Sequence, residues 1–570
     1  MTTPPPTADR AAPSWLPDEA TLSRLAGEFF RAVPGQPVMP PAAAPIAPPV
    51  APPATPASAA PVAAPSTPPA TPRATLPFAP VRPAAARLPL APSPTAAAPA
   101  APTSPAAPGT GTYYFLTESG PPAGSPVLPA APSTPYYFVH ERPRQPSGAS
   151  APSGPSVAPD PHPPFDVLAV RRDFPILSER VNGRPLIWLD NAATTQKPRA
   201  VIDRLVDFYS HENSNIHRAA HELAARATDA YEHARRTVAR FLGAGSAEEI
   251  VFVRGTTEAI NLVANAWGNG HVRAGDEIVI SHLEHHANIV PWQLLAERTG
   301  AVIKVIPVDE SGQVLLEEYA ALLSARTKLV AVTQVSNALG TVVPVKQVIE
   351  LGHRAGARVL IDAAQSAPHM PTDVSLLDAD FLAFSGHKLF GPTGIGVLYG
   401  KREALEEMAP WEGGGNMIVD VTLERSVFQP PPGRFEAGTG NIADAVGLAA
   451  AIEYVERIGL PGIAAYEHTL VEHATEGLRH IPGLRLIGTA PEKAGIVSFV
   501  LDGHQPAEVG SALNRHGIAV RAGHHCAQPI LRRFGLEATV RPSFAFYNTH
   551  DEVDALIAAV RQLSAGGRRS

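Results

Sequence analysis

The segment Asp380-Phe-Leu-Ala-Phe-Ser-Gly-His-Lys-Leu-Phe-Gly-Pro392 joins an apolar run to a polar turn. The run predicts a buried strand, and Gly391-Pro392 makes the chain turn soon after Lys388. A lysine at the end of such a strand lies where ligands collect in open α/β folds. The alternative is an ordinary solvated lysine at the surface, so other segments have to decide between the two interpretations.

A carboxylate follows another predicted strand upstream of this lysine. Arg358–Ile361 leads directly into Asp362-Ala-Ala-Gln365. If the two strands are parallel neighbours, Asp362 and Lys388 meet at one edge of the sheet. An aspartate that faces a pyridinium nitrogen keeps the ring protonated and makes it an electron sink, while a lysine forms a Schiff base. The pair therefore points to pyridoxal 5'-phosphate (PLP) as cofactor.

A third segment, Glu249–Val253 followed by Arg-Gly-Thr-Thr-Glu258, predicts a strand that opens into a helix. The free amides and the dipole at the start of a helix suit a phosphate group, and the hydroxyls of Thr256 and Thr257 are close by. The alternative is that one of the two threonines only caps the helix. Both roles can hold at once.

Two histidines, His285 and His286, follow a further predicted strand. A histidine at that edge could stack on a flat cofactor ring and move protons near neutral pH. A metal site at this pair is disfavoured, because adjacent side chains diverge and no acidic partner motif follows.

The chain has one cysteine, Cys526, in the segment Val520-Arg-Ala-Gly-His-His-Cys-Ala-Gln-Pro529. A lone cysteine cannot form an intramolecular disulfide, which fits a reducing compartment. One interpretation is a small buried hydrophobic residue. The glycine, the proline, the two histidines and the arginine around it instead indicate a polar, electropositive loop, which favours the reactive thiolate.

From Phe165 onward, short apolar runs alternate with helical patterns, which predicts a mostly parallel sheet covered on both faces. The predicted strands include Glu249–Val253, Glu277–Ser281, Ala301–Pro307, Lys328–Thr333 and Arg358–Ile361, and the predicted helices include Ala219–Leu242, Glu258–Trp267 and Val345–Ala355. After about Gly433 the pattern loosens into helices Ala443–Ile458 and Glu467–His480 and strands Ile496–Leu501 and Ala519–Arg521. We expect a large α/β domain over 187–432 and a small α+β domain formed by 165–186 and 433–570.

Residues 1–164 hold 44 of the 63 prolines, with only eight arginines and seven acidic residues. This composition predicts a disordered Pro/Ala-rich tail, because too little apolar surface is available to offset the entropy of ordering. Three islands interrupt it: the amphipathic Ser14–Val33 and two YYF triplets, Tyr113–Phe115 and Tyr136–Phe138. Chance clustering is one explanation of the triplets. Short motifs that dock on a partner explain the repetition better.

Composition also narrows the class of protein. The 406 residues after the tail carry 38 basic and 46 acidic groups, with no basic stripe, which argues against nucleic-acid binding. The first residues lack a secretory signal, and the apolar stretches of the tail are Ala and Pro, which disfavours a membrane segment. We therefore expect a cytoplasmic protein.

Several segments together resemble the SufS-type (group II) cysteine desulfurases, over Phe165 to about Leu563. The segments are Asp190–Thr195, Glu284–Trp292, Ser385–Lys388, Arg521–Cys526 and Arg541–Thr549. The resemblance implies fold type I of the PLP enzymes, with a seven-stranded, mostly parallel sheet, and a homodimer. Pro542 is a departure, since small residues are commoner after this arginine, and it would stiffen the loop.

The resemblance also implies roles for individual residues. By it, Lys388 carries the cofactor, Cys526 accepts the sulfur, and His285 stacks on the ring. Further cofactor contacts are implied for Asp362 and Gln365 at the ring, for Thr256, Thr257, Ser385 and His387 at the phosphate, and for Thr439, within Glu436–Thr439, at the partner subunit's phosphate. Asn337 and Arg541 would bind the substrate carboxylate, with Arg521 near the reacting sulfur.

The implied activity is conversion of L-cysteine to L-alanine with a persulfide on Cys526, which a sulfur-acceptor protein then receives for iron–sulfur cluster assembly or sulfur storage. The tail resembles the cargo-loading segments of desulfurases packed in encapsulin shells, which implies a place inside such a nanocompartment. Three alternatives stay open: a selenocysteine lyase, an aminotransferase, which would leave Cys526 without a task, and a non-catalytic PLP-fold scaffold. The intact Lys388, Asp362 and Cys526 argue against the scaffold.

Overall fold

Seven strands form the main sheet of the computed structural model, which describes residues 165–217 and 220–566. The strands are β1 (Ile250–Val253), β2 (Glu277–Ser281), β3 (Val302–Ile306), β4 (Thr327–Thr333), β5 (Arg358–Asp362), β6 (Phe381–Ser385) and β7 (Gly396–Gly400). Their order is β1-β7-β6-β5-β4-β2-β3. Neighbours are parallel except for β7, which is antiparallel to both β1 and β6. The predicted α/β fold with a mostly parallel seven-stranded sheet is confirmed.

Helices cover both faces of this sheet, so its central strands are buried on both sides. In β2, Ile278 and Ile280 pack against Trp292 on one face, whereas Val279 belongs to the core on the other face. Because every position of β2 is buried, the strand is a continuous apolar run apart from its terminal Glu277 and Ser281. This is why the predicted bounds of this strand agree with the observed ones.

The α-helices differ from the predicted ones mainly at their ends. Their bounds are Val167–Arg171, Arg199–Asp207, Glu222–Leu242, Thr256–Leu262, Asn269–His271, Val290–Thr299, Leu316–Leu322, Val345–Arg354, Val374–Leu377, Arg402–Glu406, Ile442–Ile458, Leu460–Arg479, Pro506–Arg515, Gln528–Arg533 and His550–Gly566. The predicted Glu258–Trp267 begins earlier, at Thr256, and passes into a π-helical turn, Val263–Gly268. The predicted Glu467–His480 begins at Leu460, because Pro461 lies in the first turn, where a missing N–H costs nothing.

A second sheet consists of β8 (Leu484–Ile487), β9 (Ser498–Leu501), β10 (Arg521–Gly523) and β11 (Thr539–Arg541), all antiparallel in the order β8-β9-β11-β10. The predicted strand Ala519–Arg521 is wrong as one element. Ile518–Ala519 pairs with Ile187–Trp188, and the chain then joins the second sheet as β10. The strand changes partner at Val520, which no local pattern signals.

The helices and strands do not test the remaining predictions on domain organisation. The domain boundaries at residues 186 and 433 stay predictions. The tail, residues 1–164, with Ser14–Val33 and both YYF triplets, lies outside the described residues. Within 165–217 and 220–566, no helix has the length and apolar character needed to cross a bilayer.

Candidate active site

The parallel strands β4, β5 and β6 end at the same edge of the main sheet, and polar residues follow each of them. A cavity of about 200 Å³ opens there, between this edge and the second sheet. The predicted site residues that line it are Thr256, Thr257, His285, Asn337, Asp362, Gln365, Ser385, His387, Lys388, Arg521, Cys526 and Arg541. The structure therefore brings together every predicted site residue except Thr439.

Thr439 lines a separate cavity of about 560 Å³, together with Tyr231 and Trp411. Neighbouring Glu436 is held by Arg235, whose Nη1 lies 2.6 Å from Glu436 Oε1. The predicted role of Thr439 concerns the phosphate of a partner subunit, so its place away from this cavity does not decide that role.

Lys388 follows β6 in a short 3₁₀ turn, Gly386–Lys388, and Asp362 ends β5. Burial lowers the pKa of the Lys388 amine to about 8, with Asp362 opposing the shift and Arg541 and Arg521 adding to it. Burial raises the pKa of Asp362, although the Ala364 amide donates to Oδ1 at 2.9 Å. An amine with a pKa near 8 is partly unprotonated at neutral pH, as a nucleophile or a base requires.

The His285 side chain also lines the cavity, and its imidazole ring is neutral. Burial lowers its pKa to about 3, and the charges of Lys388, His286 and Arg541 act in the same direction. Its Nδ1 accepts a hydrogen bond from the Ala287 amide at 3.0 Å, so the ring proton is on Nε2. A neutral flat ring suits stacking, whereas the predicted proton transfer near neutral pH is disfavoured by a pKa this low.

The residues predicted to hold a phosphate lie at the junction of β6 with the helix Thr256–Leu262. The Thr256 amide donates to Ser385 Oγ at 2.9 Å, and the two hydroxyl oxygens lie 2.8 Å apart. The residue before this helix is Gly255, so the interpretation of Thr256 or Thr257 as its N-cap is wrong. Burial, then the charges of Lys388 and Lys197, lowers the pKa of His387 to about 4, leaving a neutral ring with an N–H to donate.

Arg541 projects from β11 and is buried. Its Nη1 donates to the carbonyl oxygen of Asn337 at 2.7 Å, and its Nη2 donates to Asp190 Oδ1 at 3.0 Å. Arg541 Nε has no hydrogen-bond partner among the described residues, although buried polar groups are normally paired. A guanidinium with an unused donor in a buried cavity suits a carboxylate, and its binding of the substrate carboxylate stays a prediction.

The loop of Cys526 is held on several sides. His525 and Cys526 both have left-handed backbone angles, φ +54° and +53°. Asn337 Nδ2 donates to the His525 carbonyl oxygen at 2.6 Å, and His525 Nε2 lies 2.8 Å from Thr539 Oγ1. The His286 amide donates to the Cys526 carbonyl oxygen at 2.8 Å. Strained backbone held in this way is typical of functional sites, and Cys526 is only partly buried, which favours a reactive thiol over a hydrophobic residue.

Asn337 was predicted to donate to a substrate carboxylate. One of the two hydrogens on its Nδ2 is donated to the His525 carbonyl, and its Oδ1 is buried without a partner among the described residues. In this arrangement Asn337 supports the Cys526 loop, and the carboxylate contact stays a prediction.

Two charged residues that contact the cavity lining were missed. Asp190 bridges both arginines, since its Oδ2 lies 3.4 Å from Arg521 Nε. Glu284 is buried and accepts from Ser281 Oγ at 2.5 Å, from Asn288 Nδ2 at 2.6 Å and from the Thr333 amide at 3.1 Å. Burial nevertheless raises the pKa of Glu284 to about 8. Both lie in segments that the sequence analysis quoted, and their charge in otherwise neutral surroundings was the available signal.

The sequence matches the aminotransferase class-V family over residues 187–556. The chain belongs to this family. A relative from Mycolicibacterium paratuberculosis, named a probable cysteine desulfurase, is 70% identical over 408 residues, covering 72% of this chain and 60% of that protein. A relative from Klebsiella pneumoniae, named a cysteine desulfurase, is 53% identical over 400 residues, covering 70% of this chain and 98% of that protein.

Solved structures with a similar fold support the assignment to this family. The apo structure of the cysteine desulfurase from Thermococcus onnurineus NA1 superposes with a TM-score of 0.67 at 42% identity, covering 71% of this chain and 98% of that one. Such neighbours confirm the predicted fold type I of the PLP enzymes.

Proposed function

We propose that this chain is a PLP-dependent cysteine desulfurase, which converts L-cysteine to L-alanine and leaves the sulfur as a persulfide on Cys526. The observation that carries the proposal is that Cys526 lines the same cavity as Lys388, Asp362 and Arg541. An aminotransferase would have no use for a thiol there. The names of relatives that are up to 70% identical support the same activity.

The residues of the cavity fit PLP. Lys388 would bind it covalently, Asp362 would face the ring nitrogen, and His285 would stack on the ring. Gln365 would contact the ring, and the phosphate would be held by Thr256, Thr257, Ser385 and His387. When bound, the cofactor supplies an electron sink that stabilises negative charge at the Cα atom of an amino acid.

The other steps belong to the side chains. Arg541 binds the substrate carboxylate, and the Lys388 amine, with its pKa near 8, takes the proton from Cα. The Cys526 thiolate then attacks the substrate sulfur, with Arg521 beside it. An S–S bond forms as the C–S bond breaks, and the electron pair stays on Cβ, which takes a proton to give alanine. Storing sulfur on Cys526 divides one difficult transfer into two easier ones.

The finer assignments are part of the same proposal. The segments quoted for the resemblance support a SufS-type, group II enzyme, acting as a cytoplasmic homodimer in which Thr439 serves the partner subunit's phosphate. An acceptor protein would take the sulfur from the partly buried Cys526 for iron–sulfur cluster assembly or sulfur storage.

The test is to incubate the purified protein with L-cysteine and to measure alanine, sulfide and the mass of the Cys526 peptide. We expect alanine and one extra sulfur atom on that peptide, and Cys526→Ala is expected to keep the cofactor but lose activity by several orders of magnitude. Equal alanine formation by Cys526→Ala would overturn Cys526 as the nucleophile. Turnover of selenocysteine but not of cysteine by the wild type would favour the selenocysteine lyase.

We also propose that the tail loads the enzyme into an encapsulin shell through several weak contacts. The support is the repeated YYF triplet, at Tyr113–Phe115 and Tyr136–Phe138, with the amphipathic Ser14–Val33. On one chain, each further contact is intramolecular and therefore adds strongly to the first.

Packaging is tested by co-expression with the shell protein. The full chain, a deletion of 1–164 and a variant with the four tyrosines changed to Ala are compared for co-purification with the shell and for desulfurase activity. We expect complete loss of loading for the deletion, partial loss for the tyrosine variant and unchanged activity for both. Equal loading of all three would refute docking through the tail.

A further inference from the structure

The amine of Lys197 lies behind the wall of the cavity and is bound by neutral acceptors. Its Nζ donates to the carbonyl oxygen of Thr195 at 2.5 Å and to that of His387 at 3.2 Å, and it lies 3.4 Å from Thr194 Oγ1. Within the described part of the chain, no carboxylate pairs with it, and burial lowers its pKa to about 8. A partly desolvated amine without a counter-charge is costly, so its position needs an explanation.

The acceptor that Lys197 reaches is crowded. The His387 carbonyl oxygen also accepts from the Thr195 amide at 3.1 Å and from Thr194 Oγ1 at 2.9 Å, and it lies 3.2 Å from Thr195 Oγ1. A carbonyl oxygen has two lone pairs, so donors compete for it and a cationic donor is favoured among them. The segment Thr194–Lys197 thus concentrates its donors on the residue directly before Lys388.

The same segment also holds the two residues that follow. Thr195 Oγ1 donates to the Lys388 carbonyl oxygen at 3.0 Å and accepts from the Phe390 amide at 2.8 Å. Phe390 has a left-handed backbone, φ +57°, which is unfavourable for a residue with a side chain. Such a conformation persists only where its surroundings enforce it. The turn that carries Lys388 therefore depends on contacts from outside itself.

We propose that Lys197 is a positioning residue, whose ammonium group holds the backbone of His387 and Lys388 so that both side chains stay directed into the cavity. Lys197 does not line the cavity and so does not touch a substrate or cofactor there. Thr194 and Thr195 act with it as neutral donors. The inference rests on the proposed function, since it assumes that Lys388 binds PLP.

The test compares Lys197→Met and Lys197→Arg in the holoenzyme. The readouts are the rate at which PLP absorbance is lost after dilution and the hydrogen exchange of the amides of residues 386–390. We expect Lys197→Met to lose PLP about tenfold faster, the factor for one charge-assisted hydrogen bond, with faster exchange confined to 386–390. Lys197→Arg, which keeps the charge, is expected to lose PLP at close to the wild-type rate. Its hydrogen exchange at residues 386–390 is expected to be close to that of the wild type as well.

Tyr319→Phe is the matched control, because it removes a buried hydrogen bond, from Tyr319 Oη to the Val348 carbonyl oxygen at 3.0 Å, away from the cavity. We expect it to lower the melting temperature without changing PLP loss. If Lys197→Met behaves like this control, its role is merely structural and the proposal is wrong.

Two other outcomes have to be considered, one in which Lys197→Met does not fold and one in which the wild type shows no PLP absorbance. Should Lys197→Met fail to fold, Lys197→Gln removes the charge but keeps a polar side chain, and it is expected to accelerate PLP loss; an unchanged rate would overturn the proposal. If the wild type itself shows no PLP absorbance, the proposed function fails. Hydrogen exchange at 386–390 then still decides whether Lys197 holds the turn.

Discussion

Asn337 Nδ2 donates to the carbonyl oxygen of His525 at 2.6 Å, and this bond joins the residue beside Arg541 to the loop that carries Cys526. The carbonyl oxygen of Asn337 accepts from Arg541 Nη1 at 2.7 Å. One residue therefore contacts both the group expected to bind the substrate carboxylate and the backbone that presents the thiol. Recognition of the substrate and the position of the nucleophile are linked through it.

Replacing Asn337 by Ala is expected to slow sulfur transfer more than it weakens substrate binding. Without the bond to the His525 carbonyl, the left-handed His525–Cys526 backbone can relax and displace the thiol, and a misplacement of about 1 Å costs up to about a hundredfold in rate. Steady-state alanine formation gives kcat and KM. A large rise in KM with unchanged kcat would instead assign Asn337 to carboxylate binding, as the sequence predicted.

Lys388→Ala is expected to abolish the visible absorbance of bound PLP and all alanine formation, because it removes the amine that the cofactor binds. Lys328→Ala is the control, since Lys328 does not line the cavity. The measurement is the visible absorbance spectrum of each purified protein after incubation with PLP and removal of free PLP by gel filtration. A wild type that stays colourless under these conditions would contradict PLP as the cofactor.

Several of these residues were predictable, and the reason is local. Asp362 ends one apolar strand and Lys388 lies three residues after the end of another, and parallel strands bring their carboxyl ends to one edge. Cys526 was identified by its immediate neighbours. Long-range contacts left no such signal. Asp190 meets Arg541 because Ile187–Trp188 pairs with Ile518–Ala519 and because Asp190 itself pairs with Ser543 in an isolated bridge. Two-residue strands have no periodicity to detect.

The same limit applies to residues whose partners lie on other elements. In the sequence, Lys197 cannot be told from an ordinary solvated lysine, because its contact with the His387 carbonyl oxygen depends on how two distant segments pack. Pro461 looks like a helix breaker but lies in the first turn of a helix, where its missing N–H leaves no hydrogen bond unmade. Local sequence patterns predict helices, strands and the residues at strand ends. Which charged side chains position the site depends instead on how distant segments pack.

Arg541→Ala is expected to raise the KM for cysteine, because the substrate carboxylate loses its charged partner. The loss is about 2–4 kcal/mol, on the order of a hundredfold, with a smaller effect on kcat. Asp190→Asn is expected to have a weaker effect of the same kind, because Asp190 only orients Arg541 and Arg521. Kinetics with L-cysteine test both variants. An unchanged KM for Arg541→Ala would place carboxylate binding elsewhere.

Glu284 predicts a pH dependence of stability. Burial raises its pKa from 4.5 to about 8 in the folded protein, and the nearby Asp362 charge adds to the shift. The folded state therefore keeps a proton that the unfolded state releases above its own pKa. This contribution to stability is complete below about pH 4.5 and is lost as the pH rises toward about 8, by at most about 1.4 kcal/mol per pH unit.

Glu284→Gln tests this dependence, because it keeps the shape of the side chain and an oxygen that can accept from Ser281 Oγ, while it removes the group that titrates. We expect the free energy of unfolding of the variant to fall less steeply than that of the wild type between about pH 5 and 8, since the titrating group is gone. Urea unfolding at several pH values measures both slopes. Glu318→Gln, at an exposed position, is the control and is expected to keep the wild-type slope over this range. Equal slopes for Glu284→Gln and the wild type would mean that Glu284 is ionised in the folded protein, with its charge stabilised by the hydrogen bonds from Ser281, Asn288 and Thr333.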